Sequence, residues 1–258
     1  MNDLITQPGG TAVSLPADYM AALALEATNA SSLETPSVSN LSFKSGILAV
    51  GGNPVPGNAM NCVVVLTAHE RCYYEGAYDP NKIKNPVCFV ISQDGEDTTP
   101  HDNSTKPQHT SCTGCPKNEW GSAGEGRKGK ACKEIRRLAL IPTDKLQSPD
   151  DILASEMVLA KIPVTSVNNW SNHVHKVSAL HSMPYWAVVT KLSVKPHIKN
   201  QFEVCFDIAG QIGDMPALEA LKTKRVLAGP FVGAPYDGAP EAEAPADEAK
   251  PAKTSKKF

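Results

Sequence analysis

Cys112 and Cys115 are separated by two residues, and Cys132 follows 17 positions after the second, at the far end of a stretch with almost no aliphatic side chains. Two thiolates at that spacing hold one tetrahedral ion from a tight turn, and a more distant contribution closes the loop. Residues 92–129 are polar and rich in glycine, too poor in apolar side chains to order themselves by burial. A metal would supply the ordering, because ligation free energy becomes folding free energy in a small closed site. A zinc ion held by Cys88, Cys112, Cys115 and Cys132 is therefore the expected cofactor. Cys88 is favoured as fourth ligand because it ends the preceding apolar run and ties the start of the loop to its finish. His109, three residues before Cys112, and His101 are its rivals. The same four thiolates would also suit an iron–sulfur cluster. By contrast, Cys62 and Cys205 sit in aliphatic runs, as ordinary core residues do.

A closed site leaves no coordination position for water, so this metal is expected to be structural rather than catalytic. The chain has no H-E-x-x-H or H-x-E signature, phosphate-binding loop, nucleophile elbow or paired acidic motif. A non-enzymatic protein is expected.

Basic and aromatic residues gather around the cysteines. Between Lys117 and Arg137 stand Lys117, Arg127, Lys128, Lys130, Lys133, Arg136 and Arg137 against Glu119, Glu125 and Glu134. The glycines at 121, 124, 126 and 129 free the backbone to follow a phosphate chain, and Trp120 offers a stacking face. Upstream, Arg71, Tyr73, Tyr74 and Tyr78 are interleaved, with Lys82 and Lys84 behind them. Rings that stack on bases, beside cations that track phosphates, are what single-strand binding needs. The plainer readings are a solvated loop and tyrosines half-buried at a strand end. A formal net charge of −2 excludes a surface that is basic all over, so any such site is a local patch. Lys191 and Lys195 are expected to pair across strands with Glu203 and Asp207 rather than meet DNA. His173, His175, His181 and His197 show no metal spacing with a carboxylate.

Elements must position these groups. The 21 prolines and 18 glycines favour many short elements and disfavour an all-helical fold. Strands are expected at residues 41–50, 60–67, 87–91, 135–141 and 157–164. Alternation of Val188, Thr190, Leu192 and Val194, then of Phe202, Val204, Phe206 and Ile208, predicts an antiparallel hairpin with one buried face. Val167, Trp170, Val174, Val177 and His181 recur at helical spacing, which makes Trp170 core, with Thr165 or Ser166 as the cap. Further helices are expected at 16–28 and at 214–227, the latter opening on Asp214 and closing at Gly229-Pro230. Beyond Gly233 the sequence reduces to Ala, Pro, Glu, Asp and Lys, the composition of a disordered tail. No run approaches 18 apolar residues, and Met1 to Gly10 lacks the basic start and apolar core of a signal peptide. The expectation is a soluble, intracellular chain with no membrane contact.

The order of the features resembles a group of tailed-phage single-stranded DNA-binding proteins of the OB-fold kind. It is carried by Arg71-Cys-Tyr-Tyr, Pro86-Val-Cys88, Asp94-Gly95, Cys112-Thr-Gly-Cys115-Pro116-Lys-Asn, Trp120-Gly-Ser and Gly129-Lys-Ala-Cys132-Lys, within residues 41–210. More loosely, the chain is similar to the helix-destabilising proteins of T-even phages, in which a zinc loop is inserted into an OB-type domain. The resemblance implies a mainly β (α+β) fold: an OB-like antiparallel barrel with an inserted zinc loop at 88–132 and a few flanking helices. The domain would span 41–233, after an N-terminal extension at 1–40 and before a tail at 234–258. It implies Cys88, Cys112, Cys115 and Cys132 as ligands. Tyr73, Tyr74, Trp120, Arg136 and Arg137 would lie on the strand path, joined by the Arg71, Arg127, Lys128 and Lys130 of the basic groups. The partner would be single-stranded DNA in the cytoplasm of an infected bacterium, during replication or recombination. The tail departs from an acidic terminus, since Lys250, Lys253, Lys256 and Lys257 follow its acidic residues, which puts a docking role for replication or recombination proteins in doubt. The rival reading is a zinc-module adaptor that binds host or phage replication or transcription machinery without touching DNA. An accessory subunit of a recombinase or nuclease has less support, because no acidic metal cluster is visible.

Overall fold

The computed structural model describes residues 39–236, apart from 77–83, 96–98, 125, 127 and 145, together with Pro16, Tyr19, Leu23 and Glu26. The chain divides into two compact units, Met1–Val38 and Ser39–Phe258. In the first, Tyr19, Leu23 and Glu26 are helical and exposed; the rest of the helix expected at 16–28 lies outside the described residues.

The second unit is mainly β, a curled half-barrel sheet with three helices. Its strands are β1 (Ser39–Ser42), β2 (Ala49–Val50), β3 (Asn53–Pro54), β4 (Ala59–Tyr73), β5 (Cys88–Ser92), β6 (Lys133–Pro142), β7 (Val158–Ile162), β8 (Val188–His197) and β9 (Gln201–Gln211). Their order is β3-β2-β1-β7-β6-β4-β8-β9, with β5 paired to β4 off this path. The expected antiparallel barrel is corrected in one respect: β1 runs parallel to β7, so the sheet is mixed. A single strand expected over 41–50 is broken in two by a tight turn at Lys44–Gly46, where Ser45 and Gly46 both take positive φ.

Strand β4 is the spine. Residues 62–72 pair with β6 along one edge, while the other edge serves β8 at Ala59–Cys62 and β5 at His69–Tyr73. Alternating side chains feed two cores. Cys62 and Val64 join Leu138, Leu140, Ile162, Leu192 and Phe206 on one face. Val63 and Val65 join Ala139, Ile141 and Leu221 on the other. A bulge inserts Val65 between Val64 and Leu66, and Arg225 donates to the carbonyl this leaves unpaired. The bulge reverses the alternation, so Leu66 and Ala68 continue the second core.

Each core has helical cover. Helix α2 (Val167–His181) buries Trp170, His173 and Val177 over the first, with the Trp170 ring edge-on to Tyr185 and Phe206. Ser166 occupies the capping position but does not cap; its hydroxyl accepts from the Val204 amide and pins β9 instead. Helices α1 (Pro149–Ala154) and α3 (Met215–Gly233) cover the second core. The sequence reading missed α1, although Ser148 and Asp151 form a capping box. Asp214 caps α3 as expected, accepting from the Ala217 amide at 2.9 Å. The helix runs on through Pro230 rather than stopping at Gly229, and Ala234 to Tyr236 belong to the fold rather than to a tail. Residues 237–258 lie outside the described residues. Among the described residues, no helix is long and apolar enough to cross a membrane.

Candidate metal centre and nucleic-acid interface

Past the bulge, β4 turns His69, Arg71 and Tyr73 to one face and Glu70 and Cys72 to the other. Register carries the first face onto both neighbours: Tyr73 stands opposite Cys88 of β5, and His69 opposite Arg136 of β6. Alternation along β6 puts Glu134 beside Arg136, with Cys132 leading into the strand on the same side. Cys88 and Cys132 therefore flank the end of β4.

The connection between β5 and β6 closes over them. It first returns along β5, where the His101 amide donates to the Phe89 carbonyl and the Lys106 amide to the Val87 carbonyl, each at 2.8 Å. The Cys112-x-x-Cys115 turn then needs positive φ at Gly114, and Cys115 precedes a short 3-10 turn over Pro116–Asn118. The Cys132 amide donates to the Lys117 carbonyl at 2.8 Å, which lays this turn against the start of β6.

The four thiols act on one another electrostatically. Burial pushes the Cys132 thiol up to about 12, with Cys112, Cys88 and Cys115 adding to the rise. Burial also raises Cys112, against the hydrogen bond it receives from Arg71, and Cys88 and Cys115 raise it further. Cys88 is raised by burial and by Cys115, while the Gln108 amide works against the rise. As the side chains stand, no three His, Cys, Asp or Glu among the described residues are arranged to hold a metal ion. The chemistry of the donor set, four free cysteine thiols drawn to one end of the sheet, is of the kind that zinc or iron takes. The rival histidines are engaged by their own turns: His109 Nδ1 lies 2.9 Å from the Ser111 carbonyl, and His101 stacks on Phe89 with centroids 5.0 Å apart.

A glycine-rich finger rises beyond the turn. The Gly129 carbonyl accepts from the amides of Gly121 and Ala123, and Ser122 Oγ donates to Lys117 and Glu119 carbonyls and accepts from the Ala131 amide. These bonds hold out Trp120, 79% exposed, with Lys130 Nζ 5.8 Å from its ring centroid. Lys128 is exposed on the same finger, and Arg127 lies outside the described residues.

The structure thus brings together Arg71, Tyr73, Trp120, Lys130 and Arg136. It adds Lys117, whose ammonium lies 5.1 Å from the Tyr73 ring centroid, and Glu134, which pairs with Lys130 at 3.0 Å and Arg71 at 3.7 Å. Burial opposes ionisation of Glu134, but Lys130, Arg71 and Arg136 outweigh it and hold its carboxyl below the usual range. His69 is pushed down by burial and by Arg136 and Arg71.

Two expected residues fall elsewhere. Arg137 is a correction: alternation sends it to the opposite face, where it is 2% exposed and paired with fully buried Glu70, out of reach of a strand. Tyr74 exposes part of its ring, but its hydroxyl turns inward to Cys72 and Tyr236. Lys117 and Glu134 were read only as members of the charged group, and His69 was missed. Carrying the alternation of β4 beyond Thr67 would have placed His69 with Arg71. Comparison with protein-family models, curated proteins and solved structures finds no match.

Proposed function

We propose that the chain binds single-stranded nucleic acid without sequence preference and without catalysis, as the tailed-phage proteins of the resemblance would in replication or recombination. One observation carries the reading. The exposed Trp120 stands on a hydrogen-bonded finger that also carries Lys128 and Lys130, at the end of a sheet that has Arg71, Tyr73 and Arg136 on one face. Bases stack on the indole whatever their identity, and the cations follow the backbone. Within this proposal Cys88, Cys112, Cys115 and Cys132 hold zinc, which when bound would give the aliphatic-poor loop the folding free energy that burial cannot. The OB-like description belongs here too, supported by the curl of the sheet about its shared long strand.

The test is titration of full-length protein with fluorescein-labelled single-stranded and duplex oligonucleotides at several salt concentrations. Single strands are expected to bind much more tightly. Lys128→Ala should flatten the slope of log affinity against log salt by about 0.7 on single strands, the loss of one phosphate contact. Trp120→Ala should cost roughly 1–3 kcal/mol with the slope unchanged. Absence of binding at low salt, with metal content verified, defeats the proposal in favour of a protein adaptor.

A further inference from the structure

The opposite face of the same sheet end carries a charged cluster with no part in that proposal. Ala68, Glu70 and Cys72 of β4 point this way. Arg137 of β6 stands opposite Ala68, and Lys161 of β7 stands opposite Arg137, so one row crosses three strands. A buried carboxylate is costly unless its lone pairs are all engaged. Glu70 is paired with Arg137, and its second oxygen is engaged from the C-terminal end of the fold, by the phenol of Tyr236.

The Tyr236 hydroxyl donates to Glu70 Oε1 and accepts from Lys161 Nζ at 2.7 Å. Its ring centroid lies 4.0 Å from the Lys161 ammonium and 5.1 Å from the Arg137 guanidinium, and the edge of Phe89 meets it at a centroid distance of 5.0 Å. The peptide around it is engaged as well: Arg137 Nη1 donates to the carbonyls of Val232 and Ala234, and Asn103 Nδ2 to that of Tyr236 at 3.2 Å. Between buried Val232 and half-buried Tyr236, Ala234 and Pro235 are exposed, so the strap is held by one side chain and a few carbonyls.

We propose that this slot is a recognition site for a tyrosine on an extended peptide, filled in cis by Tyr236 and open, when the strap lifts, to a tyrosine-bearing segment of a partner protein. The occupant seated in it defines the ligand. Phenylalanine would fill the ring space but leave Glu70 and Lys161 without the hydroxyl that reconciles them, and sites built to hydrogen-bond a hydroxyl reject the analogue that lacks it. Phosphotyrosine would press a dianion against the Glu70 carboxylate. Nucleic acid is a poor fit, since Arg137 and Asn103 engage peptide carbonyls and Glu70 repels phosphate.

The experiment uses full-length Tyr236→Ala, which empties the slot, and a fluorescein-labelled peptide of the chain's own residues 231–240. Anisotropy should report saturable binding, weakened at least about tenfold when the peptide carries Phe or phosphotyrosine at the position of Tyr236. Wild-type protein, with its slot filled, should bind the peptide at least about tenfold more weakly than the variant. Equal affinity of the Tyr and Phe peptides, equal affinity of wild type and variant, or no binding at millimolar peptide would make the strap a purely structural contact. Should Tyr236→Ala fail to fold, Tyr236→Phe keeps the ring in place, and the Tyr peptide must then displace it more readily than it displaces the wild-type strap.

Discussion

Two arginines adjacent in the sequence show how much the side of a strand decides. Arg136 lies on the face of the thiols, half-buried beside Arg71 and Glu134. Arg137 is sealed into the other face against Glu70. Replacing Arg137 by Ala leaves a buried carboxylate without its cation and is expected to cost about 3–5 kcal/mol in urea unfolding. The double variant Arg137→Met with Glu70→Gln should recover much of that loss. Lys128→Ala, on the exposed finger, should stay within about 0.5 kcal/mol. An Arg137→Ala protein as stable as wild type would mean that the pair contributes nothing. The sequence lists both arginines as equally basic, so composition could not separate them. Parity along β6 could not separate them either, because Leu138 and Leu140 on the side of Arg136 and Ala139 and Ile141 on the side of Arg137 are all core. Trp170 was legible because its neighbours at helical spacing marked a single buried face.

At the scale of elements, the loop between β5 and β6 is held by turns, backbone bonds and thiols, with little apolar packing. If zinc is held there as proposed, its removal by a chelator is expected to open residues 105–131 to limited proteolysis while the pairing of β4 with β6 survives. Mass spectrometry of the fragments, with metal analysis of the starting protein, is the check. Cys88→Ser should lose the metal and His109→Ala should keep it. The reverse outcome would reassign the fourth ligand, and purified protein containing no metal, or iron, would remove zinc altogether. Most strands and helices were readable from periodicity, α2 among them. Elements shaped by tertiary partners were not. The continuation of β4 to Tyr73 depends on pairing with β5 and β6, where Arg71 and Glu70 make its sequence look like a loop. Helix α3 passes Pro230 because Ala228 and Val232 are anchored in the second core, and packing there outweighs the lost hydrogen bond.

For the molecule as a whole, acid should be the effective denaturant. His173 is buried in the first core with Nε2 on the Thr190 hydroxyl at 3.0 Å and Nδ1 without a partner among the described residues. Burial pushes its pKa down to about 4 from an ordinary 6.5. Below pH 6.5 the unfolded chain takes up a proton that the folded protein refuses, so stability is full above that pH and falls as pH drops towards 4, by about 3 kcal/mol from this residue. His69, lowered by burial, works in the same direction. Melting curves from pH 7 to pH 4 should show the decline, and His173→Gln should flatten it; a variant that declines as steeply as wild type would exonerate the residue. The parallel pairing of β1 with β7 has a consequence in time. Ser39 must wait for Val158, 119 positions later, which at about 5–20 residues per second of synthesis is roughly 6–24 s. Helix α3 emerges later still. A nascent chain paused anywhere before Met215 leaves Val63, Val65, Ala139 and Ile141 without that cover, an apolar face of the kind chaperones hold.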